Sequence, residues 1–439
     1  MEVIFRFEQG GEVRTDANVG DNLLEVARTA NVVIDAPCSG NGACGKCKVR
    51  LMSGTVDGLK TLHISDEDYE AGWRLACVST VCEDVAVMVP DIASAYQSRM
   101  KTADLSTGKE QEIFREVMEN IQGAGIDFTN NFATVDVDMD EPSLDDTLPD
   151  NERLILALQQ KLGLETIKIT FGAMVRMASV LRENNFKIRC DGLLLAKRFV
   201  VFDVVAQSET APMCAAAIDI GTTTVAIVLT ELKTGKILAK ASSGNGQIRY
   251  GADVINRILE QQKKGGIKRL QKAVIEDTIN PILDLLCKTV DIGPQRIMRL
   301  SVAANTTMNH LFLGLDGDPI RMEPYIPSFF INKGMKAGYL DLHAHPQADL
   351  ITAPNIGSYV GGDITAGVLA TMMWNQEDFS LFIDLGTNGE IVFGNSDFMM
   401  SCACSAGPAF EGGDISCGMR ATDGAIEALT VDCSTMNPT

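Results

Sequence analysis

A short motif that occurs twice is the sequence feature that most constrains how this chain can fold. Residues 215–229 read AAAIDIGTTTVAIVL and residues 380–393 read SLFIDLGTNGEIVF. The two copies lie 165 residues apart and align at three pairs of positions: Asp219 with Asp384, Gly221 with Gly386, and Thr222 with Thr387. Solenoid repeats recur every 20 to 50 residues or so. This longer, domain-sized spacing predicts two similar half-domains instead.

Each copy ends an apolar strand with an aspartate and continues with glycine and threonine. Such a turn presents backbone N–H groups and threonine hydroxyls to phosphate oxygens, while the carboxylate can hold Mg²⁺ through water. A single turn of this kind is weak evidence, because Asp and Gly often only make a turn. Two copies in matched strands predict a nucleotide cleft. The predicted catalytic residues are Asp219 and Asp384, and the predicted nucleotide-binding residues are Gly221, Thr222, Thr223, Thr224, Gly386, Thr387, Asn388 and Gly389.

Four cysteines near the N-terminus predict a [2Fe-2S] cluster. Cys38, Cys44, Cys47 and Cys77 have the spacing C-x5-C-x2-C-x29-C, one residue longer in the first gap than in plant-type ferredoxins. A loop around a cluster must reach positive φ and direct its amides toward sulfur, which glycine allows. The loop carries three glycines between its cysteines: Gly40, Gly42 and Gly45.

Other interpretations of the same residues explain less. Cys44, Cys47, Cys77 and Cys82 are close to the spacing of a four-cysteine zinc site, but that site leaves Cys38 and the glycines unexplained. In the cluster interpretation, Cys82 is expected to be an ordinary buried thiol. The loop also matches a dinucleotide fingerprint and most of a P-loop, but both need a following helix and the next residues, KVRLMSG, predict a strand.

The chain divides into four predicted regions. Residues 1–94 predict a β-grasp ferredoxin-like domain, with alternating strands and a helix capped near Asp21 and Asn22. Residues 95–125 form a connector, residues 126–208 a small α+β middle domain, and residues 209–439 the α/β domain with the repeated loops. Gly361, Gly362 and Asp363 open a helix whose small residues predict close packing at the hinge between the half-domains. Only 55 residues follow Asp384, so the second half is expected to be incomplete.

Charge and composition exclude several classes of function. Among 439 residues, 58 acidic side chains outnumber 38 basic ones, and a net charge of −20 disfavours nucleic-acid binding. No apolar run reaches the roughly 18 residues of a membrane span. Twelve cysteines without a secretion signal predict a cytoplasmic protein in a reducing compartment.

The double motif resembles the ATPase superfamily of acetate kinase, sugar kinases, Hsp70 and actin. The whole chain, residues 1–439, resembles the reductive activators of corrinoid proteins, and the resemblance extends to three further segments: GADVINRI at 251–258, AANTTMNHL at 303–311 and SAGPAFEGG at 405–413. The resemblance implies an α+β and α/β multidomain fold with a duplicated RNase H-like, actin-like ATPase domain. It also implies ATP-dependent one-electron reduction of Co(II) corrinoid to Co(I), which restores methyl transfer.

The partners implied by this resemblance are a corrinoid protein, either a methyltransferase or a corrinoid iron–sulfur protein, and an upstream low-potential electron donor; a homodimer is left open. Two other classes of function also remain open. The chain could be an iron–sulfur electron carrier or redox sensor with a regulatory nucleotide-binding domain, or a small-molecule kinase.

Two further groups of residues resemble metal or cofactor sites without matching them. Asp341-x-His343 resembles the start of a corrinoid-ligand motif, but Pro346 replaces its glycine, so His343 and His345 are expected to face solvent. Four late cysteines lack the x2 spacing of a metal site and are expected to be free thiols: Cys402, Cys404, Cys417 and Cys433.

Overall fold

The fold is that of a computed structural model, which describes most of the chain but not every residue. The described residues are 1–7, 11–30, 32, 34, 36, 40, 42, 45–58, 60–90, 101–103, 108–128, 130–251, 253–332, 334–386 and 388–404. Within these residues, no helix is both long enough and apolar enough to cross a membrane.

The N-terminal domain is built on a five-stranded sheet, which confirms the predicted β-grasp fold. Its elements are β1 Glu2–Phe7, β2 Glu12–Asp16, α1 Leu23–Thr29, β3 Lys48–Ser53, β4 Val56–Gly58, α2 Asp66–Glu70, β5 Trp73–Leu75, β6 Ser79–Val81 and β7 Val85–Val89. The sheet order is β2-β1-β7-β3-β5, with β1 and β7 parallel, and β4 pairs with β6. As predicted, α1 begins after Asn22, whose side chain accepts hydrogen bonds from the N–H groups of Leu24 and Glu25.

The connector contributes a strand to the sheet of the C-terminal domain. It contains strand β8 (Lys101–Ala103) and helix α3 (Gly108–Gly123). β8 pairs antiparallel with the edge of the large C-terminal sheet, since Lys101 lies opposite Ser242 and Ala103 opposite Lys240. The polypeptide that leaves the ferredoxin-like domain is therefore a strand of the ATPase-like sheet.

The middle domain packs two helices on a four-stranded sheet. Its elements are β9 Phe132–Asp138, α4 Asp150–Leu162, β10 Thr166–Ile169, α5 Phe171–Glu183, β11 Lys187–Leu195 and β12 Arg198–Ala206. The strand order is β10-β12-β11-β9. The spacing of Leu154, Leu158 and Leu162 predicts one buried face of α4; Leu154 and Leu158 are fully buried, and Leu162 at the end of the helix is half-buried.

The C-terminal domain begins with a seven-stranded sheet, ordered β17-β18-β16-β13-β14-β15-β8. Its elements are β13 Cys214–Ile220, β14 Thr224–Glu231, β15 Ile237–Gly244, α6 Val254–Gln261, α7 Gly266–Val274, α8 Asn280–Val290, β16 Ile297–Ala304, α9 Thr306–Leu313, α10 Asp318–Arg321, β17 Met335–Lys336 and β18 Asp349–Thr352. Strands β13, β14 and β15 form an antiparallel meander, and β16 and β18 add in parallel.

The second half repeats the beginning of the first. After helix α11 (Gly362–Thr371), strands β19 (Ser380–Leu385), β20 (Gly389–Gly394) and β21 (Met399–Cys404) form another antiparallel meander. β19-β20-β21 therefore corresponds to β13-β14-β15, as the sequence repeat predicts. Residues 405–439, which include Cys417, Cys433 and the SAGPAFEGG segment, lie outside the described residues.

Candidate nucleotide and iron–sulfur sites

The first repeated loop is a tight turn between β13 and β14. The Gly221 N–H donates to the Thr224 carbonyl at 2.9 Å, and a Cβ on Gly221 would lie 2.8 Å from that same oxygen. Any side chain at this position would collide with the backbone that closes the turn. Thr222 is 7% exposed and its hydroxyl accepts a hydrogen bond from Asn305 Nδ2 at 3.3 Å, whereas Thr223 is half-buried and Thr224 exposed.

The carbonyl groups of this loop accept hydrogen bonds from two residues of the surrounding domain. Asn245 Nδ2 donates to the Gly221 carbonyl at 2.8 Å, and the Asn245 N–H donates to the Thr223 carbonyl at 2.8 Å. Arg257 Nη2 donates to the Thr222 carbonyl. In a trans peptide the C=O and the following N–H point in opposite directions. The N–H groups of Thr222 and Thr223 are therefore directed away from these donors, which is the arrangement a phosphate-binding turn needs.

The second loop pairs two carboxylates across a hairpin. In the register of β19 with β20, Asp384 lies opposite Glu390 and Leu385 opposite Gly389. The Gly386 N–H donates to the Asn388 carbonyl at 3.2 Å, while Thr387 lies outside the described residues. Asn388 is half-buried, and Gly389 and Glu390 are buried. The hairpin thus adds a carboxylate, Glu390, at a position where the first copy of the motif has Val225.

A third element, the start of α11, lies between the two loops. A Cβ on Gly361 would lie 2.4 Å from Asn305 Cα, directly after β16. β16 in turn pairs with β13, so that Ala303 lies opposite Asp219. This approach confirms the close packing that the small residues predict. It leads Asp363, two residues further on, to the ends of both loops.

Burial and neighbouring carboxylates raise the pKa of three acidic side chains in the cleft. Burial and the charge of Asp384 raise the pKa of Asp219 to about 6. Burial raises the pKa of Asp363 to about 6 and that of Glu390 to about 7, and Asp384 contributes to both. Asp219 and Asp384 belong to separate sheets, and the effect of the Asp384 charge on Asp219 indicates that the two predicted catalytic residues lie near each other. A bound cation would relieve the repulsion.

The geometry limits how a cation could be bound. Over the described ranges, no three His, Cys, Asp or Glu side chains are close enough to hold a metal ion together. A Mg²⁺ in this cleft would therefore take ligands from water or phosphate, with the carboxylates around it, which is how Mg²⁺ is commonly held.

Sequence reasoning assigned no role to several residues of this site. Arg257 and Asn305 fall in the segments 251–258 and 303–311, which resemble the corrinoid-activator family, and Asp363 falls at the predicted start of a helix. Glu390 could have been found from the hairpin register, because it stands six residues after Asp384 and lies directly opposite it. Asn245 carries no sequence signal, since its contact with the loop depends on where β15 ends.

The pairing of β3 with β5 brings together two of the cysteines that are predicted to bind the cluster. Lys48 at the start of β3 lies opposite Leu75 at the end of β5, and the Ala76 N–H donates to the Cys47 carbonyl at 2.9 Å. This pairing brings Cys47 close to Cys77, and both cysteines are buried. Cys38 and Cys44 lie outside the described residues.

The loop conformation fits a cluster-binding loop. Gly40, Gly42 and Gly45 have φ of 91°, 75° and 64°, the left-handed region that glycine tolerates best. A Cβ on Gly40 would lie 3.7 Å from the Cβ of Cys77, so the loop folds back onto the fourth predicted ligand. Asn22 Nδ2 also donates to the Cys77 carbonyl at 2.8 Å, which ties this ligand to the start of α1.

The described residues do not support the alternative four-cysteine zinc site. Cys47, Cys77 and Cys82 are all described, yet they do not form a group that could hold one metal ion. The expectation that Cys82 is buried is wrong, because its thiol is exposed. The residue follows β6 at the surface, where its Sγ lies 3.7 Å from the carbonyls of Thr55 and Thr80.

The two late histidines behave differently from one another. His343 is exposed, as predicted, and its Nδ1 lies 2.8 Å from Asp284. His345 is only 6% exposed, so the prediction for it is wrong. It faces Asp203 of the middle domain, and burial lowers its pKa. Docking of one domain on another covers this side chain, which no local pattern reveals. Cys402 and Cys404 are exposed and form no disulfide within the described residues.

Comparison with known families gives matches to four successive parts of the chain. These are a 2Fe-2S iron–sulfur cluster binding domain at residues 6–82, a RACo linker region at 122–192, a RACo middle region at 214–376, and the C-terminal domain of RACo, the ASKHA domain, at 378–439.

Individual relatives match over nearly the whole chain. Corrinoid activation enzyme RamQ of Eubacterium limosum is 27% identical over 434 residues, which cover 98% of this chain and 65% of RamQ. A solved structure of a reductive activator for corrinoid, iron–sulfur protein is 32% identical with a TM-score of 0.59, and the match covers 100% of this chain and 68% of that one. The chain thus spans about two thirds of the length of these relatives.

A shorter match involves a different type of protein. One component of the Na(+)-translocating NADH-quinone reductase of Klebsiella pneumoniae is 35% identical over 86 residues, which are 19% of this chain and 21% of that protein.

Proposed function

Because this chain belongs to the family of reductive activators of corrinoid proteins, we propose that it uses ATP to drive reduction of a partner protein's corrinoid from Co(II) to Co(I). The balance is one electron per cobalt, drawn from an upstream low-potential donor. The observation that carries the proposal is the proximity of the two repeated loops, in which the charge of Asp384 contributes to the raised pKa of Asp219. Two loops from separate sheets share one cleft, in a chain that also has a ferredoxin-type domain.

In this proposal the first loop binds phosphate oxygens through the N–H groups of Thr222 and Thr223. Asn245 and Arg257 hold the loop carbonyls and so keep those amides available. Because Thr222 is buried and its hydroxyl is bonded to Asn305, backbone amides are the main phosphate donors of this loop. Asp219, Asp363, Asp384 and Glu390 surround the Mg²⁺ that accompanies the nucleotide.

A divalent cation makes the acidic cleft compatible with nucleotide binding. Four carboxylates alone repel ATP, but a divalent cation lies between them and the phosphates. The raised pKa values of Asp219, Asp363 and Glu390 reflect the free energy that such a cation would recover. Binding of nucleotide without Mg²⁺ is therefore expected to be weak, and this dependence distinguishes the cleft from a simple anion site.

In the N-terminal domain, Cys38, Cys44, Cys47 and Cys77 are the residues that would hold a [2Fe-2S] cluster. When bound, a cluster of this type supplies single electrons at low potential, around −400 mV in plant-type ferredoxins. The protein contributes burial of Cys47 and Cys77 and a glycine loop whose conformation suits close approach of its amides. Both features affect the potential of a cluster.

ATP is needed in this proposal because Co(I) is difficult to reach from such a donor. Each 59 mV of unfavourable potential lowers a one-electron equilibrium constant about tenfold. A nucleotide that binds the activator–partner complex differently before and after electron transfer can offset this difference, since a ligand shifts an equilibrium by its differential affinity for the two states.

The decisive experiment is an anaerobic absorbance assay of Co(I) formation in a purified corrinoid protein. The full chain, a low-potential reductant and Mg·ATP are supplied together, and each is omitted in turn. Formation of Co(I) is expected only when all three are present. Equal reduction without nucleotide would instead support an electron carrier with a regulatory nucleotide-binding domain. ATP turnover without any protein partner would support a small-molecule kinase.

Two variants separate the roles of the domains in the same assay. Cys77→Ser is expected to leave nucleotide binding intact while no Co(I) forms. Asp384→Asn is expected to keep a reducible iron–sulfur signal while the cobalt stays Co(II). If either variant supported full reduction, the corresponding domain would have no part in the reaction.

A further inference from the structure

The ferredoxin-like domain is docked on one particular segment of the C-terminal domain. We call this the bridge segment and define it as residues 245–251 and 253–263, from the end of β15 through α6. The Ala36 N–H, two residues before Cys38, donates to the Arg249 carbonyl at 3.2 Å. Lys263 Nζ lies 3.0 Å from Glu25 Oε1 of α1. The bridge segment therefore contacts both helix α1 and the residue two positions before the cluster-binding loop.

A buried carboxylate anchors this contact. Glu260 is completely inaccessible to solvent, and its oxygens lie 2.9 Å from Arg269, 3.1 Å from Lys263 and 3.4 Å from Arg28 of the ferredoxin-like domain. The Arg28 side chain is only 5% exposed, and its Nη1 lies 4.0 Å from where a Cβ on Gly40 would be. Arg28 thus links Glu260 directly to the cluster loop.

The opposite side of the bridge segment holds the first nucleotide loop. Arg257 lies one turn before Glu260 and Gln261 on α6 and is fully buried. It donates to the Thr222 carbonyl, to the Gly251 carbonyl at 2.9 Å and to Gln247 Oε1 at 3.1 Å. Asn245, at the beginning of the segment, binds the Gly221 carbonyl. The same short stretch is therefore bonded to the phosphate loop and to the ferredoxin-like domain.

Close packing prevents the two ends of the bridge segment from moving independently. A Cβ on Gly251 would lie 2.7 Å from the Arg257 nitrogen, and a Cβ on Gly266 would lie 2.2 Å from the Glu260 carbonyl oxygen. Packed elements of this kind shift as units instead of deforming gradually. A displacement at Arg257 is therefore carried along α6 to Glu260.

We propose that the bridge segment couples nucleotide binding to docking of the ferredoxin-like domain, with Arg257 and Glu260 as its positioning residues. This inference rests on the proposed nucleotide site. Phosphate bound to the N–H groups of Thr222 and Thr223 polarises the same peptide groups whose carbonyls accept from Arg257 and Asn245, which strengthens those hydrogen bonds. Nucleotide thereby stabilises the docked arrangement of the cluster loop, and docking in turn strengthens nucleotide binding.

The contact between Arg28 and Glu260 is suited to being made and broken. At 3.4 Å it is an ion pair, and neither Arg28 Nη2 nor Glu260 Oε2 makes a hydrogen bond of good geometry in the part of the chain that the structure describes. Glu260 keeps Arg269 and Lys263 when Arg28 withdraws. Undocking therefore leaves no unpaired charge in the C-terminal domain, and the charge that Arg28 exposes is still paired with Glu25.

The test measures hydrogen–deuterium exchange of α1 and Mg·ATP affinity by calorimetry in the full chain with its cluster. In the parent protein, Mg·ATP is expected to slow exchange in residues 23–29. Arg28→Gln is expected to abolish this slowing and, by reciprocity, to weaken Mg·ATP binding by about fivefold, at the lower end of known allosteric couplings. Lys263→Gln, which leaves the ferredoxin-like domain unchanged, is expected to reduce the slowing.

Arg14→Gln is the matched control, because Arg14 pairs only with Glu2 and Glu12 at the surface of the same domain among the ion pairs of the described residues. It is expected to preserve both the slowing and the affinity, and the cluster absorbance checks that each variant is folded. If the parent binds Mg·ATP but exchange in α1 does not change, the coupling is overturned while the proposed function stands. If the parent binds no Mg·ATP, both are overturned.

Discussion

Gly367 of α11 and Phe382 of β19 are so close that a Cβ on the glycine would lie 2.4 Å from Cζ of the ring. Gly367 follows Asp363 by one helical turn, and Phe382 shares a strand face with Asp384. The contact between a glycine and a ring therefore aligns two carboxylates that come from different elements. The geometry of the acidic cleft depends on the absence of a side chain four residues away from it.

Gly367→Ala is expected to lower the free energy of unfolding by about 1–2 kcal/mol. The added methyl group must displace the Phe382 ring, and such overpacking outweighs the gain of about 1 kcal/mol in helix propensity. Nucleotide affinity is expected to fall as well, because Asp363 moves relative to Asp384. Urea unfolding and calorimetry measure the two effects. Gly172→Ala on α5, where nothing lies within 4 Å, is the control and should destabilise neither folding nor binding.

The pKa of Glu390, raised to about 7 by burial, predicts how stability depends on pH. Between the ordinary value of 4.5 and 7, the folded state binds more protons than the unfolded state, so this group lowers stability as pH rises through that window. Glu390→Gln is expected to remove on the order of 1 kcal/mol of this pH-dependent loss of folding stability, because glutamine does not ionise. Without Mg²⁺ the variant should therefore be more stable than the parent at pH 8. Glu67→Gln, on the exposed helix α2, should leave the pH profile unchanged.

Asp219→Asn and Asp384→Asn are each expected to weaken Mg·ATP binding by about tenfold or more, which corresponds to about 1.4 kcal/mol. Each change removes one negative charge from the surroundings of the cation. Thr222→Val should cost less, because its hydroxyl is engaged by Asn305 within the protein. Titration calorimetry with and without Mg²⁺ gives the affinities, and Asp57→Asn in the ferredoxin-like domain is the control. Unchanged affinity in both cleft variants would contradict the paired-loop site.

Removal of the predicted cluster ligands is expected to have an all-or-none result. Three variants should each lose the paramagnetic signal of the reduced cluster, along with its content of about two iron and two sulfide per chain. These are Cys38→Ser, Cys47→Ser and Cys77→Ser. Cys82→Ser should retain the signal, since that thiol is exposed and makes no metal group with Cys47 and Cys77. Anaerobic purification, metal analysis and electron paramagnetic resonance after reduction provide the measurement. Zinc in place of iron, or loss of the signal in Cys82→Ser, would support the four-cysteine zinc site instead.

Local patterns in the sequence determined the elements and the chemistry of the individual loops. Alternation in β1, the leucine spacing of α4 and the Asn22 cap each involve residues within a few positions, so their structural preference can be read directly. The repeated Asp-x-Gly-Thr motif also predicted a duplicated fold, because both copies carry the same turn between two apolar strands. The spacing of the cysteines predicted a cluster loop because three of them lie within one short segment.

Only the tertiary structure decided which distant groups meet. Asp363 and Glu390 join the cleft through helix packing and hairpin register, and Arg257 reaches Thr222 from a helix that starts 32 residues after it. His345 is buried against expectation because the middle domain packs near it, and Cys82 is exposed against expectation because it follows β6 at the surface. A local pattern specifies the conformation of its own segment. Proximity across domains depends on packing, which is a property of all the segments together.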